Sequence, residues 1–104
     1  MEVVWSKTAK DSLAVTLHFI RLNFSDNVAQ NIRIKIENQV NQLADFPLIG
    51  VKDLKNSTPN RQFRYIVVNR RSKVFYYIKN NIIYIVLVWD TRQNIHSLKR
   101  LLKQ

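Results

Sequence analysis

The hydrophobic periodicity of this chain changes once, from a helical repeat in the first half to a strand repeat in the second. Beyond Ser6, a residue suited to a helix N-cap, apolar positions recur at helical spacing: Ala9, Leu13, Leu17, Ile20 and Phe24. Asp26 can cap a second helix with its own stripe: Ala29, Ile32, Ile36, Val40 and Leu43. Because the connection between these segments is short, they are predicted to form an antiparallel helical hairpin that ends at Phe46-Pro47-Leu48-Ile49-Gly50.

The second half reads as strands. Residues 51–61 are polar, contain Pro59 and are interpreted as a loop. Three runs rich in β-branched and aromatic residues follow: Gln62 to Asn69, Lys73 to Lys79, and Ile82 to Trp89. Asn80-Asn81 fits a two-residue hairpin turn because asparagine tolerates positive φ.

These segments define an α+β fold in a single domain, residues 1–104. Glu2 to Trp5 reads as a first strand, and Asn94 can cap a short last helix, so the element order is β-α-α-β-β-β-α. Helices followed by a strand meander indicate a helical hairpin packed on one face of an antiparallel sheet. Trp5 and Trp89 are assigned to the core.

The net charge lies entirely in the second half. Residues 1–51 hold five basic and five acidic side chains, whereas residues 52–104 hold twelve basic side chains and two acids, Asp53 and Asp90. A field of this kind attracts polyanions, which predicts nucleic acid, a nucleoprotein particle or an acidic protein as partner.

Composition excludes several classes of site. The chain has no cysteine, so it has no disulfide, thiolate metal site or cysteine nucleophile. Its single glycine, Gly50, excludes a glycine-rich phosphate loop. Residues 1–20 lack an apolar signal core, and the longest apolar run, Ile82 to Trp89, is too short to cross a bilayer as a helix. We expect a cytoplasmic protein without membrane contact.

In element order and in several local motifs the chain resembles the RelE/ParE superfamily of bacterial toxins. The resemblance covers nearly the whole chain and rests on the following residues: Trp5-Ser6, Leu43, Phe46-Pro47, Gly50, Arg64, Tyr76-Tyr77 and Val88 to Asn94. The segment Asp90-Thr91-Arg92-Gln93-Asn94 looks more like ParE-type and plasmid stabilisation members than like the messenger-cleaving ones.

The resemblance implies the toxin of a type II toxin–antitoxin module, held inactive by a cognate antitoxin. Members of the superfamily either cut messenger RNA on the ribosome or poison DNA gyrase, and neither activity uses a metal or cofactor in the toxin. The apolar surface expected where an antitoxin docks could equally form a homodimer. A non-toxic or degenerate nucleic-acid-binding module of the same fold is the alternative.

Metal-independent RNA cleavage would require a base, an acid and cations that stabilise the phosphorane. The candidate catalytic residues are Arg64, Arg92, Tyr76, Tyr77 and His96. The candidate nucleic-acid-binding residues are Lys52, Lys55, Arg61, Arg70, Arg71 and Lys73. In the nuclease hypothesis, Arg64 and Arg92 clamp one phosphate while a tyrosine assists. In the gyrase hypothesis, the toxin is a binding inhibitor and no residue does chemistry.

Each candidate also has a simpler interpretation. Arg64 shares a strand face with Ile66 and Val68, so it requires a partner or a ligand. Arg92 could pair with Asp90, and His96 could be an ordinary surface residue. Because Tyr76 and Tyr77 point to opposite faces of their strand, only one of them can line a site.

Overall fold

The computed structural model describes residues 1–93, which form two helices and five strands. In chain order the elements are β1 (Glu2–Trp5), α1 (Lys7–Asn23), α2 (Asp26–Gln42), β2 (Val51–Thr58), β3 (Arg61–Val68), β4 (Ser72–Lys79) and β5 (Ile82–Asp90). The α+β fold and the helical hairpin are as predicted. The predicted last helix, with Asn94 and His96, lies outside the described residues.

The five strands form one mixed sheet in the order β1-β5-β4-β3-β2. Strands β2 to β5 are antiparallel to their neighbours, as expected of a meander, whereas β1 pairs in parallel with β5, Val3 lying opposite Ile83. The sequence analysis did not anticipate this parallel pair. The helical hairpin carries the chain from β1 at one edge of the sheet to β2 at the other edge, and the meander then brings it back to β5 beside β1. A parallel pair requires a long crossover of this kind.

Residues 51–58 form a strand, so the loop interpretation of residues 51–61 is wrong over most of its length. The strand is polar because it lies at the sheet edge. Its ladder with β3 shifts register between Asp53 and Thr58, where side chains replace ladder bonds. The Ser57 hydroxyl donates to the Asp53 carbonyl (2.6 Å) and accepts from the Phe63 N–H (2.9 Å). Because these positions are polar, hydrophobic periodicity alone does not predict the strand.

Two details of the helices also correct the sequence analysis. The N-cap of α2 is Ser25, whose hydroxyl accepts from the Val28 N–H, and Asp26 is the first helical residue. In α1, Ala9 and Ile20 are buried as predicted and Leu13 and Leu17 pack against the core, whereas Phe24 is exposed. Ser12 and Thr16, which the predicted stripe did not include, are also buried. Ser12 and Thr16 are buried because they bond to the end of β5: the Ser12 hydroxyl accepts from the Val88 N–H at 2.8 Å. The Ser6 N-cap of α1 and the stripe of α2 are confirmed.

The core lies between the helical hairpin and one face of the sheet. Helix α1 packs on β5, and α2 packs on α1 and touches β3. The sheet contributes Val68, Val74, Tyr76, Ile83, Ile85 and Val88, and the helices contribute their buried stripes. Trp5 packs against this core and Trp89 is buried, as predicted. Within residues 1–93, neither helix is long and apolar enough to span a membrane.

Two tight turns join the three long antiparallel strands. Asn80 and Asn81 both have positive φ (53° and 61°), as predicted for the β4–β5 turn. Asn69 and Arg70 adopt the same conformation between β3 and β4 (53° and 67°). The two turns lie at opposite ends of the sheet, and each turn has basic residues in it or next to it in sequence.

Candidate functional site

Aromatic side chains line the sheet face opposite the helical hairpin. Register places Phe63, Tyr77 and Tyr84 side by side on β3, β4 and β5. The Tyr77 and Tyr84 rings stack with centroids 5.1 Å apart, and Phe63 meets Tyr77 edge-on at 5.8 Å. Strand alternation produces this row, because Tyr76 points to the core and Tyr77 therefore points away from it. All three rings are half-buried.

Cations lie over this aromatic face. The Arg61 guanidinium carbon is 4.3 Å from the Tyr77 ring centroid, and the Lys73 ammonium is 4.8 Å from that of Tyr65. Both distances fall within the range of a cation–π contact. Arg61 is held over the ring at the start of β3, so the aromatic row carries a positive charge at its edge.

An open cleft of about 410 Å³ lies beside Arg61, at the end of the sheet where β3 begins and β4 ends. It is lined by Leu48, Pro59, Asn60, Arg61, Gln62, Arg64, Tyr77, Ile78 and Lys79. The lining holds three cations and no carboxylate, which suits it to an anionic ligand. We call it the basic cleft. Lys79 was not among the predicted site residues. The sequence feature that could have identified it is its position directly before the Asn80-Asn81 turn.

Arg64 lies at the boundary between the basic cleft and the core. It shares a sheet face with Ile66 and Val68, as predicted, and finds its partners in the backbone. Its guanidinium donates to the carbonyls of Gly50 (2.8 Å) and Leu48 (3.2 Å). Both bonds come from one nitrogen, Nη1, so the side chain fastens the α2–β2 connection while bordering the cleft.

Tyr76 is buried and structural. Its hydroxyl donates to the Pro47 carbonyl (2.8 Å) and accepts from the Gly50 N–H (3.0 Å), and its ring is fully shielded from solvent. Burial raises the pKa of Tyr76, an effect that the Gly50 hydrogen bond and the Arg64 charge only partly offset. A buried hydroxyl with both bonds satisfied cannot reach a substrate. Of the two tyrosines, Tyr77 is the one that lines the cleft.

Arg92 is paired at the end of β5. Its Nε and Nη2 donate to the two oxygens of the buried Asp90 carboxylate at 2.9 and 2.8 Å, and its guanidinium carbon lies 4.5 Å from the Phe24 ring centroid. Burial alone would raise the pKa of Asp90, but the hydrogen bonds and charge of Arg92 hold it below its usual range. The predicted Asp90–Arg92 pair is therefore present.

Arg64 and Arg92 lie on different parts of the sheet and are bonded to different partners. Through β4, Asp90 is level with Val68, four residues beyond Arg64 on β3, and four residues of strand span roughly 13 Å. Arg92 follows β5 and bonds back to Asp90, whereas Arg64 bonds to backbone carbonyls of the α2–β2 connection. The structure does not bring the two guanidinium groups together, and their joint clamp on one phosphate stays a prediction.

The other predicted basic residues divide between the two ends of the sheet. Lys52 lies opposite Arg64 and lines a second cleft of about 330 Å³ with it, and Lys55 is on the same edge strand. Arg70 and Arg71 accompany the β3–β4 turn at the other end, with Lys73 just inside β4. His96 lies outside the described residues. Among residues 1–93, no group of three or more histidines or carboxylates could hold a metal ion.

Two comparisons with known proteins give the family and the fold. The family model described as the ParE toxin of type II toxin–antitoxin systems, parDE, matches residues 3–95. A solved structure of the chromosomal ParDE toxin–antitoxin system from P. aeruginosa superposes with a TM-score of 0.71 at 17% identity, covering 88% of this chain and 97% of that one. At this identity the superposition shows a shared fold. No curated protein is detectably similar in sequence.

Proposed function

The chain belongs to the ParE toxin family of type II toxin–antitoxin systems, and we propose that it arrests growth by binding and poisoning DNA gyrase until its antitoxin neutralises it. Membership makes it the toxin component of such a system. What we propose is that the target is DNA gyrase and that the antitoxin neutralises the toxin. Gyrase bound to DNA presents both a polyanion and a protein surface. A toxin with a formal charge of +10 is attracted to the polyanion.

The observation that carries this choice is that Arg64 and Arg92 are each already bonded within the protein, on different parts of the sheet. A nuclease needs cations, an acid and a base around one phosphate. Here Arg92 is committed to Asp90, Tyr76 to Pro47 and Gly50, and the basic cleft has no carboxylate in its lining. A surface that binds without doing chemistry requires none of these groups to be free.

Ribosome-dependent messenger cleavage is the second candidate, and the basic cleft favours it. Arg61, Arg64 and Lys79 could neutralise a phosphate there, and the Tyr77 ring could stack on a base or serve as acid. In this candidate the nuclease site is the basic cleft at one end of the sheet, whereas the sequence analysis placed it between Arg64 and Arg92.

Inducible expression in a bacterium that lacks the antitoxin distinguishes these candidates. DNA and protein synthesis are followed in parallel by pulse labelling, and the purified toxin is added to a gyrase supercoiling assay. We expect DNA synthesis to fail first and supercoiling to stop, with gyrase–DNA cleavage complexes accumulating. Early collapse of protein synthesis with cut messenger RNA would instead establish the nuclease.

A non-toxic nucleic-acid-binding module is tested by the same strain. It would leave both syntheses and growth unchanged while the purified protein bound nucleic acid with steep salt dependence. That result would contradict the proposed function altogether. The expected result is growth arrest that expression of the antitoxin reverses.

A further inference from the structure

Four cations surround the β3–β4 turn, at the end of the sheet away from the basic cleft. Arg70 and Arg71 form the turn together with Asn69, and both arginines are exposed. Lys73 follows in β4, and Lys35 reaches the turn from α2, where its ammonium bonds to the Asn69 side chain. We call Lys35, Arg70, Arg71 and Lys73 the turn cluster.

Arg70 occupies a backbone conformation that arginine rarely adopts. Its φ is 67°, in the left-handed region that a two-residue turn normally fills with glycine at its second central position. The turn between β4 and β5 has asparagine at both positions, a residue that tolerates this conformation. A bulky side chain held there costs free energy, and such strain is concentrated at functional positions. The arginine at the tip of the turn therefore indicates a use for its guanidinium group.

The turn is held from both sides, so its backbone is fixed before any ligand binds. The Lys35 ammonium donates to the Asn69 side-chain oxygen at 3.2 Å, and the Thr91 N–H donates to the Arg71 carbonyl at 2.8 Å. These bonds tie the turn to α2 and to the end of β5. A surface that is already ordered loses less conformational entropy when it binds a partner.

Acids beside the turn do not cancel its charge. Residues 67–73 include no acid. Asp90, which lies across the sheet from the start of β4, is buried, and both of its carboxylate oxygens accept hydrogen bonds from Arg92. Within residues 1–93, neither Arg70 nor Arg71 forms a salt bridge. The turn therefore presents its positive charge to a ligand.

The chemistry of the turn cluster favours duplex DNA over a protein or a single strand. Protein interfaces bury apolar and aromatic anchors at their centre, whereas Asn69, Arg70 and Arg71 are polar and exposed. Single-stranded nucleic acid is bound by stacking on aromatic rings, and residues 67–73 contain no aromatic side chain. A duplex presents a dense array of phosphates that cations alone can bind.

We propose that the turn cluster binds the phosphate backbone of duplex DNA without reading its sequence. The inference rests on the proposed function, because the duplex is the DNA segment that gyrase holds. Between Arg61 and Val68, β3 spans roughly 23 Å, so the turn cluster and the basic cleft are separate sites. Arg70 and Arg71 anchor the toxin on the DNA, and the basic cleft faces a different part of the gyrase–DNA complex.

Fluorescence anisotropy of a short labelled duplex of mixed sequence measures binding of the purified toxin from about 50 to 200 mM salt. Replacing both turn arginines, Arg70→Gly with Arg71→Ala, should weaken binding at least about 10-fold and lower the log–log salt slope by about 2, because two phosphate contacts are lost. Lys7→Ala with Lys10→Ala removes two exposed positive charges from α1 and should change the affinity less than about twofold. Equal losses in the two double variants, or no loss in either, would overturn the site.

Arg70→Gly alone distinguishes a binding role from a structural one. Glycine adopts a φ of 67° without strain, so this variant should unfold at a higher urea concentration than the wild type while binding DNA more weakly. A lower urea midpoint would make Arg70 a structural residue and would overturn the inference. Tighter binding of the wild type to duplex RNA than to duplex DNA would also overturn it.

Inhibition of gyrase supercoiling separates this inference from the proposed function. The double arginine variant should require a higher concentration than the wild type to stop purified gyrase. A variant that loses DNA binding but inhibits gyrase as well as the wild type does would overturn the DNA contact and leave gyrase as the target. A wild-type toxin that binds DNA through the turn cluster but leaves gyrase active would contradict the proposed function instead.

Discussion

The Tyr76 hydroxyl accepts a hydrogen bond from the Gly50 N–H at 3.0 Å, an approach that leaves no room for a side chain at Gly50. A Cβ built on Gly50 would lie 2.5 Å from the Tyr76 hydroxyl oxygen and under 3.0 Å from two ring carbons. Tyr76 is fully buried, so it cannot move aside freely. The single glycine of the chain is therefore required for close approach, and it ties the α2–β2 connection to the middle of the sheet.

Gly50→Ala should lower the free energy of unfolding by about 2 kcal/mol, the usual cost of forcing extra atoms into a packed core. Urea denaturation followed by circular dichroism measures the change. Ala44→Gly, a change of the same size just after α2, gives a reference for the effect of one methyl group outside this contact. A Gly50→Ala protein as stable as the wild type would show that Tyr76 is free to shift.

Removing Arg92 should destabilise the protein in a pH-dependent manner. Arg92→Ala leaves the buried Asp90 carboxylate without its charge partner, and we expect a loss of about 2 kcal/mol at pH 7, because Arg92 itself is partly exposed. In the wild type the pKa of Asp90 is lowered, so its stabilising contribution is present above the ordinary pKa of aspartate and is lost as the pH falls through the lower folded value.

The difference between wild type and Arg92→Ala should therefore be largest near neutral pH and shrink below about pH 4. Urea midpoints measured from pH 3 to pH 7 check this. Lys7→Ala removes a cation from the exposed Lys7–Asp11 pair and should change stability by less than about 0.5 kcal/mol at every pH. A pH-independent Arg92→Ala difference would point to lost packing on Phe24 as the cause.

Two buried serines should respond to alanine in opposite ways. Ser12 accepts from the Val88 N–H and donates to the Ala9 carbonyl, whereas the buried Ser72 hydroxyl has no hydrogen-bond partner among residues 1–93. Ser12→Ala leaves the Val88 N–H unsatisfied and should cost about 1–3 kcal/mol. Ser72→Ala removes an orphaned polar group and should leave stability unchanged or raise it. Thermal unfolding of both variants decides the matter, and equal losses would contradict the assignment.

The basic cleft predicts which cations matter for toxicity. Arg61→Ala should reduce growth inhibition at least about 10-fold, because it removes both a cation of the cleft and the contact over Tyr77. Arg33→Ala, which removes one positive charge from an exposed pair with Glu37 on α2, should retain full toxicity. Plating efficiency after induction, compared at equal protein levels, measures both. Equal toxicity of Arg61→Ala and wild type would exclude the cleft as the target-binding site.

Much of the architecture could be predicted because it depends on local patterns. The helical stripe of α2, the Ser6 cap, the turn at Asn80 and Asn81, and the opposite orientations of Tyr76 and Tyr77 all follow from period, propensity or alternation. Strand β2 was missed because it lies at a polar edge and bonds partly through Ser57. In the predicted stripe of α1 only Phe24 is exposed, but Ser12 and Thr16 were missed because, although polar, they are buried by bonds to residues at the end of β5.

The sequence by itself determined every described element except β2, the α+β class, the family resemblance and the concentration of positive charge in the second half, because these depend on residue type and short-range spacing. Tertiary structure alone decided which cations stand together. Strand register sets Arg64 apart from Asp90 and Arg92, and it gathers Arg61, Arg64 and Lys79 around one cleft. It also places Tyr76 where its hydroxyl holds Pro47 and Gly50 of the α2–β2 connection. Pairing between strands sets these distances, and no periodicity within one strand contains that information.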